Sequence, residues 1–455
     1  MLRVAETGLS VAAIVAVLAF GGAAPPFFLF TQIVVFGLAI FLLAANLRHP
    51  RISLRLPRTV PIVLTALVLT QALPFPASLV AVLAPRDILA GEPRFTLSVA
   101  PYQTVSHLLL LLTYLTAFSL VLLVCQDRRA TRRLVYALVA LGVFEAFYGL
   151  VQYLTGWQQI FAYVKKYYLE DATGTYINRN HFAGLLEMVL PFALAIALRL
   201  ADALRRTALR NERPLRAVLY APELPSLVFW LFVATVIFVA LIFSRSRMGF
   251  ISAVASLIVI LALLGTSSLS ARIRYVAAGL FFLAVVGLIV WIGTDPVITR
   301  FETLGQEYSQ SGQNRVSIWR DTLKLIGHHP FLGTGLGTFS VAYTSVQTAF
   351  LDLRVDHAHC DYLELVSELG LPGGIFVFGS ILWVLAKTLR HYRRADDRYD
   401  SAVCLGCVGS IVAILVHSVA DFNLYIPANA LIFSVVLALA WSTTHNSAQI
   451  REIPD

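Results

Sequence analysis

Long apolar runs separated by short polar links fill most of the chain, and their lengths set the first expectation. About twelve runs are long enough to cross roughly 30 Å of hydrocarbon as helices rising about 1.5 Å per residue. They fall approximately at 8–24, 26–46, 59–76, 103–125, 133–153, 181–200, 226–243, 249–265, 274–293, 371–389, 402–420 and 426–443. One polar interval, 294–370, is much longer than the other links. The pattern predicts an all-α fold: a polytopic membrane bundle of about twelve transmembrane helices with one long, partly helical loop. It divides the chain into spans one to nine (1–293), the polar loop (294–370), and spans ten to twelve with a tail (371–455). The first run leads almost directly into the second, so it reads as a retained span rather than a cleaved signal peptide.

Composition sharpens this. The chain has 455 residues, 58% hydrophobic and only 13% charged, with mean hydropathy +0.76. A soluble domain is nearer about a quarter charged, so little mass is expected outside the bilayer. The net charge of +9 does not imply a nucleic-acid partner, because basic residues in membrane proteins mostly record topology. Cys404 and Cys407 lie inside an apolar run and read as small buried residues one helical turn apart, not as a redox pair.

The positions of Lys and Arg predict orientation. With the N-terminus inside, about 23 of the 35 basic residues fall on the cytoplasmic side. They cluster at Arg48–Arg58, Arg128–Arg133, Arg199–Arg216, Arg272–Arg274 and Lys387–Arg398. Both termini are then cytoplasmic. Arg179, Arg245, Arg247, Arg315, Arg320, Lys324 and Arg354 fall on the far side, against this trend, and an anionic ligand there is the economical explanation.

Three far-side segments carry candidate chemistry. In GTYINRNHFAG (174–184), Asn178, Arg179, Asn180 and His181 lie where a helix begins, and its unpaired N–H groups and dipole favour an anion. Alternatively, they cap the helix. In SRSRMGF (244–250), two arginines in a tight turn either share an anion, for which guanidinium suits bidentate phosphate recognition, or snorkel to headgroups. In the long loop, Val316, Trp319, Leu323 and Ile326 recur at helical spacing, and Arg315 and Trp319 share a face as an i, i+4 pair. The glycine string GTGLG lacks the strand and helix context of a nucleotide fingerprint.

DHAHCDYLELVSELGLPG (356–373) holds His357 and His359. His-x-His invites zinc, but no third and fourth ligand stand at plausible spacing, so no metal is expected. A histidine near arginines and carboxylates reads better as a general base. Glu145, Glu187, His417 and Asp421 are ionisable groups at membrane depth, costly in lipid and expected to face the bundle interior. A proton relay, structural pairing and a polar acceptor site all remain open for them.

Together, R-x-x-I-W (Arg315–Trp319), HPFLGTGLGTF (His329–Phe339) and AHCDYLELVSELGLPG (Ala358–Gly373) resemble the signature of the O-antigen ligase and polymerase superfamily. YINRNHFAG, SRSR and HSVADFNLYIPANA (His417–Ala430) match it too, so the resemblance covers roughly residues 140–440. It implies a metal-independent, cofactor-free glycosyltransferase of the multi-span C type in a bacterial inner membrane, with its active site at the periplasmic face. The donor would be a glycan on undecaprenyl diphosphate, and the acceptor lipid A-core, another glycan or a protein. His359 matches the family histidine by its place before C-D-Y-L and E-x-G-x-x-G, although Cys360 stands where Asn is usual. Arg179, Arg245, Arg247 and Arg315 would bind the diphosphate, with Asn180, His181, His357, Asp361, Glu145, His417 and Asp421 in support.

Besides ligation, repeat-unit polymerisation and protein O-glycosylation fit such a chain. So does a different class, an anion transporter of bicarbonate type. A transporter should hold its substrate near the midplane, often within an internal repeat. No repeat is evident here, and the basic residues gather at one face.

Overall fold

The computed structural model describes residues 1–48, 57–83, 94–211, 213–265, 279, 304–348, 354–393 and 398–451. Twelve helices of fourteen or more residues lie in these stretches: α1 (Leu2–Leu18), α2 (Pro25–Arg48), α3 (Thr59–Ala72), α4 (Pro101–Val124), α5 (Arg128–Thr155), α6 (Arg179–Leu209), α7 (Glu223–Phe243), α8 (Arg247–Gly265), α9 (Leu304–His328), α10 (Asp361–Tyr392), α11 (Arg398–His417) and α12 (Pro427–Arg451). Nine of them, α2, α4 to α8 and α10 to α12, are long and apolar enough to cross a membrane. The protein is therefore an all-α, multi-pass membrane bundle. The segment expected to form the ninth span, 274–293, lies outside the described residues except for Gly279. Among the described residues, strand is confined to two short antiparallel pairs, Pro74–Pro76 with Arg94–Thr96 and Gln159–Ile160 with Tyr163–Val164.

The bundle is built around α6. It is buried on every side from His181 to Ala197, so this stretch has no solvent-facing stripe, and α5, α7, α8, α11 and α12 pack on it. Small residues allow the close approach, since lipid supplies no hydrophobic drive between helices. A methyl group on Gly142 of α5 would sit 2.6 Å from Val189, and one on Gly406 of α11 would sit 2.5 Å from Phe192. Cys404 and Cys407 are fully buried in α11, as their apolar context predicts.

Termini differ from the sequence expectation where local chemistry overrides hydropathy. The first helix covers Leu2–Leu18 rather than 8–24, because a turn with Gly21 and Gly22 at positive φ follows it. The tenth span was expected at 371–389, but α10 begins at Asp361. It bends at Gly370 (φ 72°, ψ 170°), ahead of Pro372. The polar motif and the apolar span thus form one helical unit with a break between them.

Helix α9 packs on the first half of α10. Its inward stripe only partly matches the expected one: Ile326 is buried as expected, but Val316 and Leu323 are exposed, while Ile318 and Leu325 are buried with Asp321 and Thr322. Trp319 faces inward as predicted, its indole N–H donating to the Ala358 carbonyl at 2.9 Å.

The start of α6, the α7–α8 turn, the start of α10 and the α11–α12 turn meet at one end of the bundle. The candidate residues are gathered there.

Candidate active site

The segment carrying His357 and His359 is clamped from three sides. From α10, Glu364 accepts the Ala358 N–H at 2.7 Å and pairs with His357 Nδ1 at 2.7 Å. From α9, Arg315 and Trp319 share a face as their spacing predicts, and each grips a backbone carbonyl. Arg315 donates to Ala420 at 2.9 Å and Trp319 to Ala358 at 2.9 Å. From the α11–α12 turn, the carbonyls of Ser418 and Asp421 both accept the Asp361 N–H at 3.0 Å. Asp361 in turn accepts from Ser418 Oγ at 2.7 Å and from the Leu424 N–H at 3.2 Å. Held this way, His359 sits at φ 51°, a left-handed conformation costing a non-glycine residue about 1 kcal/mol or more.

Phe422 is the hub. His357 stacks on its ring at 4.0 Å and 12°, while His359 and His181 meet it edge-on at 5.1 and 4.8 Å. Beside it, Asp421 lies 4.0 Å from His181 Nε2 and 3.8 Å from His417 Nε2. Deeper in the bundle, His417 Nδ1 pairs with Glu187 at 2.9 Å, both side chains fully buried. Among the three roles left open for these residues, the geometry shows a continuous polar chain from Glu187 through His417 to Asp421.

The two histidines of the motif are in opposite electrostatic situations. Burial pushes His359 down to about 4; Asp421 opposes this, and the Arg315 charge reinforces it. Its Nδ1 is buried without a hydrogen-bond partner. Burial would also lower His357, but the adjacent Glu364 carboxylate outweighs it and raises that imidazole above its ordinary value. Burial would raise Asp421, yet the imidazoles of His417 and His181 and the Arg315 guanidinium hold it well below the usual carboxylate range. The arrangement presents a neutral imidazole beside one that favours its charged form. Such a split is how neighbouring groups are made into different acid–base partners.

The arginines form a second cluster. Asp171 bridges two of them, reaching Arg179 at 2.7 Å and Arg245 at 3.5 Å, and Glu170 reaches Arg245 at 3.1 Å. The close pair singled out in the sequence is Arg245 and Arg247; the carboxylate joins Arg245 to Arg179, from a position eight residues before Arg179. Lys165 donates to the Asp171 carbonyl at 3.0 Å, and the Arg179 guanidinium lies 5.2 Å over the Tyr168 ring. Arg245 sits in the α7–α8 turn at φ 56°, and Arg247 opens α8. Tyr168 feels the charges of Arg179 and Asp171 and also those of Asp421 and Arg315, so the two clusters are neighbours.

Several expected participants are placed as framework. Both Glu145 oxygens are engaged by Thr175, from its N–H at 2.8 Å and its hydroxyl at 2.7 Å. Glu145 thus pins the segment leading into α6. The Asn180 N–H donates to the Asn178 side chain at 2.8 Å, the N-cap bond of α6. The glycine loop spends its amides inside the protein: Gly333 on His329, Thr334 on Ser367, Gly335 on Glu368, and Leu336 on the Gln71 side chain. None of these N–H groups is left for a phosphate. Its glycines serve close approach, since a methyl on Gly337, at φ 77°, would lie 2.0 Å from His107 Nδ1.

The residues missed from sequence are Phe422, which is apolar, the pair Glu170 and Asp171, and His107, inside an apolar run. Glu364 was noticed only as a carboxylate. Among the described residues, no group of three His, Cys, Asp or Glu side chains is placed to hold a metal ion.

A family model described as O-antigen ligase matches residues 231–378, the stretch that runs from α7 through Arg245, Arg247, Arg315 and His359 to the second half of α10. The match supports the O-antigen ligase-like superfamily for this chain. It also supports a ligase- or polymerase-type function in glycan biosynthesis, with membrane embedding and glycan or lipid substrates. Arg179, His417 and Asp421 complete the site from outside the matched region. No curated protein matches the chain.

Proposed function

We propose that this O-antigen ligase-like protein transfers a glycan from undecaprenyl diphosphate to an acceptor hydroxyl at the periplasmic face of the bacterial inner membrane, inverting the anomeric centre. The observation that carries the proposal is His359: a half-buried imidazole whose Nδ1 is buried and unpartnered, on a strained backbone and in the field of Arg315. The acceptor oxygen attacks the anomeric carbon while His359 takes its proton. The bond from that carbon to the phosphate oxygen breaks, and the electron pair leaves with the lipid diphosphate. Arg179, Arg245, Arg247 and Arg315 offset the developing charge, the work a bridging metal would otherwise do. Asp421 opposes the effects that depress His359 and stabilises the imidazolium as it forms. The donor's negative charge raises the same imidazole, making it a better base once the donor is bound.

The basic clusters at Arg48, Arg128–Arg133 and Lys387–Arg393 lie at helix ends opposite the site, which supports the periplasmic assignment. Charge gathered at one end, not at the midplane, favours transfer over anion transport. Ligation to a lipid-anchored core is the preferred reading, with a growing glycan or a protein hydroxyl as the other acceptors.

The test is purified protein, a synthetic undecaprenyl-diphosphate glycan and candidate acceptors, with product analysis. His359→Ala should lower transfer by about 10²–10⁴, and His357→Ala by less, with membrane insertion intact. If His359→Ala keeps more than half the wild-type turnover, His359 is not the base.

A further inference from the structure

Among the described residues, five other than glycine adopt a positive φ: Phe20, Phe161, Tyr168, Arg245 and His359. Arg245 and His359 already belong to the two clusters of the site. Tyr168, at φ 55°, is a third that borders it, in a conformation that a bulky side chain seldom adopts. Its surroundings enforce that conformation. The Gln158 side chain donates to the Leu169 carbonyl at 2.5 Å, and Lys165 to the Asp171 carbonyl at 3.0 Å. The N–H groups of Asp171 and Ala172 donate to the Tyr168 and Phe243 carbonyls at 3.2 and 3.0 Å. A strained backbone fixed from this many directions holds its side chain in one place.

That place lies between the two clusters. The Tyr168 ring lies under the Arg179 guanidinium, 5.2 Å from it. Arg179 opens α6, where His181, two residues on, meets Asp421 and Phe422. Tyr168 is half-buried, whereas Tyr167 and Leu169 on either side of it are exposed. Its hydroxyl takes part in no hydrogen bond among the described residues. Burial raises the phenol above its ordinary value, against the pull of Arg179 and with the help of Asp421 and Asp171. The hydroxyl therefore stays protonated and is a donor at neutral pH.

An inverting displacement places the acceptor oxygen and the leaving diphosphate on opposite faces of the anomeric carbon. With the oxygen at His359 and the diphosphate at the arginines, the transferred sugar occupies the space between them. We propose that Tyr168 contacts that sugar, its hydroxyl donating a hydrogen bond to a hydroxyl of the unit joined to the diphosphate, and so helps to set which first sugar is accepted. The proposal rests on the glycan-transfer reading and adds a sugar-recognising residue to it. A neutral phenol suits a sugar hydroxyl, whereas the neighbouring guanidiniums are matched to phosphate oxygens.

The experiment uses Tyr168→Phe, which keeps the ring under Arg179 and removes only the hydroxyl. The donors share undecaprenyl diphosphate and carry a hexose that is intact or lacks one hydroxyl at a time. Tyr168→Phe should lower kcat/KM for the intact donor by about tenfold. One deoxy donor should be equally poor with wild type and variant, because the partner of the lost bond is already gone. An unchanged kcat/KM in the variant, or the same fold loss on every donor, would overturn the contact and leave Tyr168 as a seat for Arg179. Equilibrium binding to the solubilised protein supplies the second readout. The variant should bind the hexose-bearing lipid diphosphate about tenfold more weakly than wild type, and glycan-free undecaprenyl diphosphate equally well. Equal weakening of both would put the hydroxyl on the phosphates and overturn the sugar contact. If no donor is turned over, the transfer reading fails, while the two affinities still decide whether Tyr168 touches the sugar.

Discussion

Acidifying the solubilised protein from pH 7 toward pH 4 should destabilise it specifically through His359. Burial holds this imidazole at about 4 in the folded protein against 6.5 as its ordinary value. In the unfolded chain it takes up a proton as the pH falls through 6.5, whereas the folded chain refuses that proton until about 4. The unfolded state thus binds more protons in this window. Stability is full above 6.5, declines between 6.5 and about 4, and is flat below. Each pH unit of separation is worth about 1.4 kcal/mol, so the loss is about 3 kcal/mol. His359→Gln removes this contribution and keeps the other titratable residues of the chain, so it should narrow the pH dependence of unfolding by roughly that amount. Denaturation followed by intrinsic fluorescence at pH 7, 5.5 and 4.5, in one detergent, reads the difference between the two proteins. Activity adds a second readout. The acid limb of kcat/KM, which reports the free enzyme, should lie nearer 4 than 6.5. The limb of kcat should lie higher, because bound diphosphate raises the imidazole. Equal pH slopes in wild type and variant, or a kcat/KM limb at 6.5 or above, would refute a neutral His359.

Two further outcomes follow from the arginine cluster. Asp171→Asn keeps the shape of the side chain but removes the carboxylate shared by Arg179 and Arg245; it should cost about 2 kcal/mol of stability and raise the donor KM several-fold, as the guanidiniums separate. A lower KM, read in the same transfer assay, would mean that Asp171 occupies the phosphate position and competes with the donor. Transfer should also survive exhaustive EDTA treatment. Loss of activity rescued by magnesium, manganese or calcium would make Asp356, Asp361, Glu364 and Glu368 candidate ligands and displace the arginines from that role.

The membrane helices were legible because span length and apolar composition are nearly sufficient in a bilayer. Their ends were not. Hydropathy cannot see that Asp361 starts a helix running to Gly370, since Asp361, Glu364 and Glu368 interrupt its apolar residues and are satisfied only by tertiary partners. The amphipathic reading of α9 found Trp319 but took Val316 and Leu323 as inward, because buried Asp321 and Thr322 are polar and break the apolar stripe. Asp321 is held by Lys324 at 2.9 Å and by the Thr348 N–H at 2.8 Å, partners that no periodicity reveals.

The site was legible as residues and not as pairings. Basic groups standing against the topological trend drew attention to Arg179, Arg245 and Arg315, and membrane depth drew it to His417 and Asp421. Asp171 joins Arg179 to Arg245; what joins the others is the link between α11 and α12, which spans only residues 418–426. Within it, Ser418 and Asp421 accept the N–H that starts α10, and Ala420 holds Arg315. Asp421 stands between His181 and His417, and Phe422 receives three imidazoles. The link lies outside the family-matched stretch 231–378, while Arg315, His359 and Asp361, which it contacts, lie inside it. The left-handed turn at His359 is held from both directions: Ala358 before it by Trp319 of α9 and Glu364 of α10, and Asp361 after it by the carbonyls of Ser418 and Asp421. A strained geometry of that kind persists only when its surroundings over-determine it, and here α9, α10 and the short link between α11 and α12 do so together.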